Sequence, residues 1–184
     1  MGIDPNAAML ARARAAGGAR YLPGEAAATG LPDAGMALAV AGQAFHWFDI
    51  PAALCEFARI LRPAGSAAAF WNVRGSGPFL DAYDRLLREH SAEYAILDKP
   101  AQTLTALRAR AEVWEARESE FAYVQSLDRE GLLGRAFSSS YVVHGVADRE
   151  RFERDLHTLF ERHQSGGRVD FQYRTLAIWF RIAL

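Results

Sequence analysis

The sequence predicts an α/β fold. Three observations carry the prediction: apolar runs of buried-strand length alternate with amphipathic helical segments over residues 1–74, the chain then turns helical, and it ends on a long alternating segment. Alternation of helix and apolar strand is the mark of right-handed crossover units on an open sheet. In such sheets ligands gather at the carboxyl ends of the strands.

Gly2, Ile3 and Asp4 read as the end of a strand. Residues 5–16 follow as a helix, with Asp4 as N-cap, Pro5 in the first turn, Met9, Leu10 and Ala13 on one face, and Gly17-Gly18 as the stop. A short strand, "ARYLPGEA", comes next, then the turn cluster "GLPDAG". "MALAVAGQAF", from Met36, is a continuous apolar run of the kind found in a buried parallel strand. In "DIPAALCEFARILRPAG" the apolar Leu54, Phe57, Ala58 and Leu61 recur at helical spacing, with Pro51 in the first turn and Pro63 and Gly65 ending the helix. "SAAAFWNV" reads as another buried strand.

Residues 77–112 carry spaced apolar positions among charges and read as a helical insertion. "EARESEFAYVQSL" alternates like a half-exposed strand. Residues 128–137 and 148–164 are helical, and "RVDFQYRTLAIWFRIAL" is a last long strand closing an antiparallel pair. With no internal repeat and no low-complexity linker, the 184 residues are expected to form a single domain. Its parts are a cofactor-binding core over 1–76, a mainly helical insertion or cap over 77–165 with one strand at about 115–127, and the last core strand over 166–184.

Composition narrows the function classes. Hydrophobic residues make up 51% and charged residues 23%, and no apolar run approaches the length of a membrane helix, so a soluble protein is expected. The start shows no secretory signal and Cys55 is the single cysteine, which excludes an internal disulfide and makes a cytoplasmic location the default. The net charge of −1, with acids and bases interspersed, gives no dense basic surface for nucleic acid. Lys99 is the one lysine among 21 basic residues, which with abundant alanine points to a GC-rich bacterial coding genome.

The stretches that matter each follow a strand. Asp4 offers carboxylate acceptors to the two hydroxyls of a ribose or caps the first helix, and the two roles can coexist. Glu25 can accept from an adenine amino group while Ala26 leaves room for the ring; a surface glutamate at a strand end is the plainer reading. "AFHWFD" clusters three aromatics and a histidine. Phe45 and Phe48 read as packing residues, Trp47 as core or pocket wall, and His46 as a general base or a satisfied, partly buried histidine. His157 and Glu161, one helical turn apart, read as a solvated face, so no metal is expected. Cys55 falls on the apolar side of its helix and no nucleophile motif appears, so covalent catalysis has no support. "SSSY" at 138–141 reads as a helix terminus and turn, with Ser140 and Tyr141 able to line a pocket.

Taken in order, "GIDPNAAMLARAR", "YLPGEAAATGLPD", "AVAGQAFHWFD", "AALCEFARILRPAGSAAAFWNV", "SSSYV" and "VDFQYRTLAIWFR" resemble the class I S-adenosylmethionine-dependent methyltransferases, above all the small-molecule group with an "HWFD" segment. The likeness covers nearly the whole chain and is strongest over residues 2–74. It implies S-adenosylmethionine as cofactor, with Asp4 on the ribose, Glu25 and Ala26 bordering adenine, and Gln43, Ala44, His46 and Trp47 facing the methionine half. Trp71, Asn72, Ser140 and Tyr141 would face a small-molecule acceptor. Methyl transfer in such families relies on holding acceptor and sulfonium in line, with His46 as base only where the acceptor must lose a proton.

The chain departs from the family in having no first strand and no glycine-rich G-x-G-x-G loop; Gly75 and Gly77 in "RGSG" follow a later strand. The expected fold is therefore an incomplete Rossmann-like class I methyltransferase sheet with a helical insertion and a C-terminal antiparallel strand pair. In the family order 3-2-1-4-5-7-6 the lost strand is central, which would separate the third strand from the fourth and leave an exposed edge. Two readings follow: a methyltransferase impaired or inactive as a truncated chain, with Met1 a misplaced start, or a non-catalytic dimeric remnant serving as a binding or scaffold protein. A homodimer covering the edge is expected. A dinucleotide oxidoreductase shares the ribose acid but not the other segments.

Overall fold

The computed structural model describes residues 1–96 and 99–183, with the side chains of 95, 96 and 99–101 outside the description. The end of the "EYAIL" helical reading, at 97, lies outside the described residues. Among the described residues, six strands and seven helices run in the order β1 (Gly2–Asp4), α1 (Ala7–Ala16), β2 (Tyr21–Pro23), β3 (Met36–Gly42), α2 (Ile50–Ile60), β4 (Leu61–Arg74), α3 (Pro78–His90), α4 (Lys99–Arg108), β5 (Val113–Leu127), α5 (Arg129–Phe137), α6 (Ser140–Val143), α7 (Arg149–His163) and β6 (Val169–Ile182). Short 3-10 turns occupy Phe45–Trp47 and Ala92–Ile96.

The strands form two sheets, β1-β2 and β3-β4-β6-β5. β1 and β2 are parallel, with Asp4 opposite Pro23, and β3 and β4 are parallel, with Val40 opposite Ala68 and Gly42 opposite Phe70. The closing pair is antiparallel, since partners across it run in opposite order: Ala183 donates to Glu112, Arg181 pairs with Glu115 and Arg117 lies over Trp179, while Arg174 pairs with Glu120 and Arg168 reaches Ser126. β4 and β6 are antiparallel by the same test, with Thr175 bonded to Asn72 and Gly75 to Gln172.

Several expected boundaries are corrected. The N-cap of α1 is Asn6, whose Oδ1 accepts from Ala8 and Met9 at 2.9 and 3.2 Å; Asp4 instead accepts from the Asn6 amide at 2.7 Å. "LRPAG" does not belong to the helix. α2 ends at Ile60 and β4 starts at once, because Pro63 cannot continue a helix. Pairing slips there from Met36–Leu61 to Leu38–Ser66, with Ala64 in the left-handed region (φ 66°), so that stretch is an irregular strand edge. Cys55 is exposed. The buried residues Ala53, Leu54, Phe57 and Ile60 set the inner face of α2, and the 100° step per residue puts position 55 on the opposite side.

β3 is likewise not buried on both faces. Ala39 and Ala41 point into the core, whereas Leu38 and Val40 are 51% and 53% exposed. Strand alternation puts the latter pair with Phe70 on a single open face, where the Phe70 ring lies against Gly42 so closely that a Cβ there would meet it at 2.6 Å.

The described chain divides into two compact units. The first comprises residues 1–70, 100–119 and 177–184; the second comprises 71–99 and 120–176. In the first, Phe45 is fully buried and meets Phe48, Phe57 and Phe180 at ring-centre distances of 5.1, 6.0 and 6.4 Å. In the second, α3, α5, α7 and the start of β6 close on Phe171, which takes the edges of Phe79 and Tyr83 at 5.2 and 5.1 Å.

Two leucines of the first unit test this description. Leu54 is 1% exposed and Leu38 is 51% exposed, so in urea unfolding Leu54→Ala costs about 2–5 kcal/mol and Leu38→Ala less than about 1 kcal/mol. Equal losses would contradict the open face.

Candidate functional site

The candidates on the cofactor side all lie in the first unit, at the carboxyl ends of its parallel strands. Asp4 ends β1, half-buried, with one carboxylate oxygen holding the Asn6 amide. Since Asn6 caps α1, the helix cap does not consume the Asp4 carboxylate. Asp4 sits beside the end of β2, where residues 25–28 form a tight turn: the Glu25 and Ala28 backbones bond each other at 3.2 and 3.0 Å around Ala26 and Ala27. The Glu25 side chain is exposed and Ala26 is half-buried. Gly24 is obligatory there, because a Cβ would meet Ile3 of β1 at 2.9 Å.

At the end of β3 the chain breaks sharply. Gln43 adopts φ 55°, a conformation that costs a non-glycine residue about 1–3 kcal/mol, and its amide donates to the Phe70 carbonyl at 2.9 Å. The exposed Gln43 and half-buried Ala44 lead into the 3-10 turn, anchored by buried Phe45. His46 is half-buried, Trp47 is 62% exposed, and their rings lie 4.9 Å apart. Of the two readings of Trp47, core or pocket wall, its exposure excludes the core. Asp49 then caps α2 by accepting from Ala52 at 3.0 Å.

The acceptor-side candidates belong to the second unit. Trp71 is fully buried and packs as a core residue, Asn72 accepts from Thr175 at 2.7 Å, and Ser140 is exposed at the start of α6. Tyr141 is half-buried, with its ring 5.0 Å from Tyr94 and its carbonyl accepting from Ser91 at 2.7 Å. His157 and Glu161 do not face a common ligand: His157 lies 3.8 Å from Glu153, and Glu161 is held by Arg129. No group of metal-binding side chains occurs among the described residues, and no helix among them is long and apolar enough to cross a membrane.

Residues 1–69 match the family described as Methyltransferase domain. An uncharacterised methyltransferase of Schizosaccharomyces pombe is 30% identical over 161 residues, which cover 84% of this chain and 62% of that protein; the chain thus spans under two thirds of that relative's length. A protein of Anaeromyxobacter dehalogenans reported as a type II methyltransferase superposes with a TM-score of 0.66 at 23% identity, over 98% of this chain and 78% of its own. A Bacillus halodurans protein reported as a methyltransferase gives 0.55 at 16% identity, over 97% and 80%. These likenesses establish the fold.

One element of the first unit escapes a reading of strand ends alone. Glu56, on the buried face of α2 and 8% exposed, accepts from the Thr29 amide at 2.8 Å and hydroxyl at 2.5 Å, and from Arg59 Nε and Nη2 at 2.8 and 2.7 Å. Arg59 also holds the exposed Asp33. The Arg59 hydrogen bonds, opposed by burial and helped by Thr29, bring the Glu56 carboxyl down to about 2. A folded-state value below the ordinary 4.5 gives stability that is complete above about pH 4.5 and is lost as pH falls toward 2. Glu56→Gln should therefore cost about 2–4 kcal/mol near neutral pH. In urea melts the gap between wild type and variant should narrow steadily below pH 4.5; a gap independent of pH would contradict this account.

Proposed function

We propose, for a chain that has the class I methyltransferase fold, that it serves S-adenosylmethionine-dependent methylation of a small molecule and that the 184-residue chain alone holds the cofactor weakly. The observation that supports this reading most is the grouping of Asp4, Glu25 and Ala26 at the adjacent ends of β1 and β2, with a carboxylate that the helix cap leaves available. That donor set suits an adenosine: Asp4 for vicinal ribose hydroxyls, Glu25 for the exocyclic amine, Ala26 as the small wall beside the ring. Gln43, Ala44, His46 and Trp47 would border the methionine half, the Gln43 amide being an exposed polar group suited to a carboxylate or ammonium.

The cofactor when bound supplies an electrophilic methyl on a sulfonium sulfur. This chain's part is to hold, orient and exclude water, and His46 accepts a proton where the acceptor carries one. Weak binding is expected because the two corners are carried by different sheets, so no ladder of backbone hydrogen bonds fixes their spacing. Asn72, Ser140 and Tyr141 would border the acceptor, while the fully buried Trp71 would back that wall as core.

Calorimetry with S-adenosylhomocysteine tests the reading. Binding with Kd of about 0.1–1 mM is expected, weakened about tenfold or more by Asp4→Ala through loss of charge-assisted hydrogen bonds. No binding near millimolar would overturn it.

A second reading, a dimeric binding or scaffold protein, is favoured by a different observation. β3 is a terminal strand of its sheet, and beside that edge Leu38, Val40 and Phe70 (51%, 53% and 37% exposed) leave an apolar face open. Such an edge and face are what a second copy would cover. Light scattering at micromolar concentration should give a dimer mass that Val40→Lys converts to a monomer; a wild-type monomer that melts cooperatively would rule this reading out.

A further inference from the structure

In the second unit, two arginines and four tyrosines converge around a pair of donors that have no acceptor. Arg74, the last residue of β4, lies with its guanidinium 5.4 Å from the ring centre of Tyr83 and 5.2 Å from that of Tyr94. Its Nη2 donates to the Tyr94 hydroxyl, which donates to Asp84. Arg135 donates from Nε to the Tyr173 hydroxyl at 3.0 Å and from Nη1 to Ser139 at 2.7 Å, with its guanidinium 5.8 Å from the ring centre of Phe171. Both cations are thus held by neutral hydroxyls. Arg74 Nη1 and the Tyr83 hydroxyl are buried with no hydrogen-bond partner, and Tyr83 is fully buried.

A buried donor left unpaired costs about 1–3 kcal/mol, so two in one cluster form a standing demand for an acceptor. Burial, reinforced by Tyr141, pushes the Tyr83 phenol well above its usual range against the pull of Arg135 and Arg74, so it stays an O–H donor. The missing partner must therefore bring acceptor oxygens, and two guanidiniums favour negative charge on them. Arg74, Arg135 and Tyr141 are only half-buried, so the cluster reaches the surface of its unit.

We infer that this cluster is a recognition site for a small organic carboxylate, whose oxygens take the unused donors of Arg74 and Tyr83 while its body lies against the surrounding aromatic faces. The planar carboxylate matches the guanidinium fork, and the rings of Tyr94, Phe171 and Tyr173 favour an organic body over a bare inorganic anion. The site stands on the second unit alone, so its success or failure is separate from that of cofactor binding.

Calorimetry on the full chain without cofactor tests it, with benzoate, phenylacetate, succinate and citrate as probes and inorganic phosphate as the competing anion. Saturable binding of at least one carboxylate is expected, with phosphate about tenfold weaker or more. Arg74→Lys, which keeps the charge over the rings but loses the fork, should weaken the carboxylate about fivefold or more. Tyr83→Phe should leave folding stability unchanged or raised, since it deletes an orphaned hydroxyl, while weakening the carboxylate about fivefold or more. Absence of saturation by all four carboxylates at about 20 mM, phosphate binding as tightly as the best of them, or wild-type affinity in Tyr83→Phe and Arg74→Lys would each overturn the inference.

Discussion

Glu56 is the constraint on which the first unit depends. Its carboxylate, on the buried face of α2, fastens the Thr29 backbone and side chain, and Thr29 directly follows the turn that carries Glu25 and Ala26. The Ala34 amide adds a bond to the Arg59 carbonyl at 2.9 Å, so the whole 29–34 connection is tied to that helix. α2 in turn places Phe57 against Phe45, and Phe45 meets Phe180 of β6. The β1-β2 sheet thus reaches the larger sheet through a buried, hydrogen-bonded carboxylate and an aromatic cluster, where a continuous sheet would use a ladder of backbone bonds. A buried carboxylate is tolerable because four donors converge on it, two from Thr29 and two from Arg59; removing one side would strand the other.

That arrangement also explains the character of the candidate site. Backbone ladders hold strand ends to within tenths of an ångström, whereas a side-chain bridge on a connecting segment leaves more play. The corner at Asp4 and the corner at Gln43–Trp47 are each well built locally, the first by the Asn6 turn and close-packed Gly24, the second by the Gln43–Phe70 bond and buried Phe45. Their mutual spacing rests on Glu56.

Much of the fold was legible in the sequence because it follows from periodicity. The alternation of helix and apolar run locates β3, α2 and β4, and the two-residue period after Val169 reads directly as β6. The failures are local and physical. Asp4 and Asn6 are both good caps two residues apart, and only backbone geometry decides between them. β3 reads as fully buried because Leu38 and Val40 are apolar, but apolarity gives no sign of what covers a face. Cys55 lies among apolar neighbours in sequence and opposite them on the helix. In the site, the strand-end residues could be chosen from their positions alone. Glu56 and Arg59 could not, although an acid inside an apolar helical face three residues before an arginine is a usable signal. Arg74, Tyr83 and Arg135 come together from distant segments and leave no local pattern.

The most direct test of this account is amide hydrogen exchange on the chain and on Glu56→Ala. Thr29 and Ala28 are expected to lose protection in the variant, and Asp4 and Glu25 to loosen with them, while Ala39 and Ala41 of β3 exchange as in the wild type. Unchanged protection at Thr29 and Ala28, or a uniform loss through β3, would contradict the claim that Glu56 joins the two sheets.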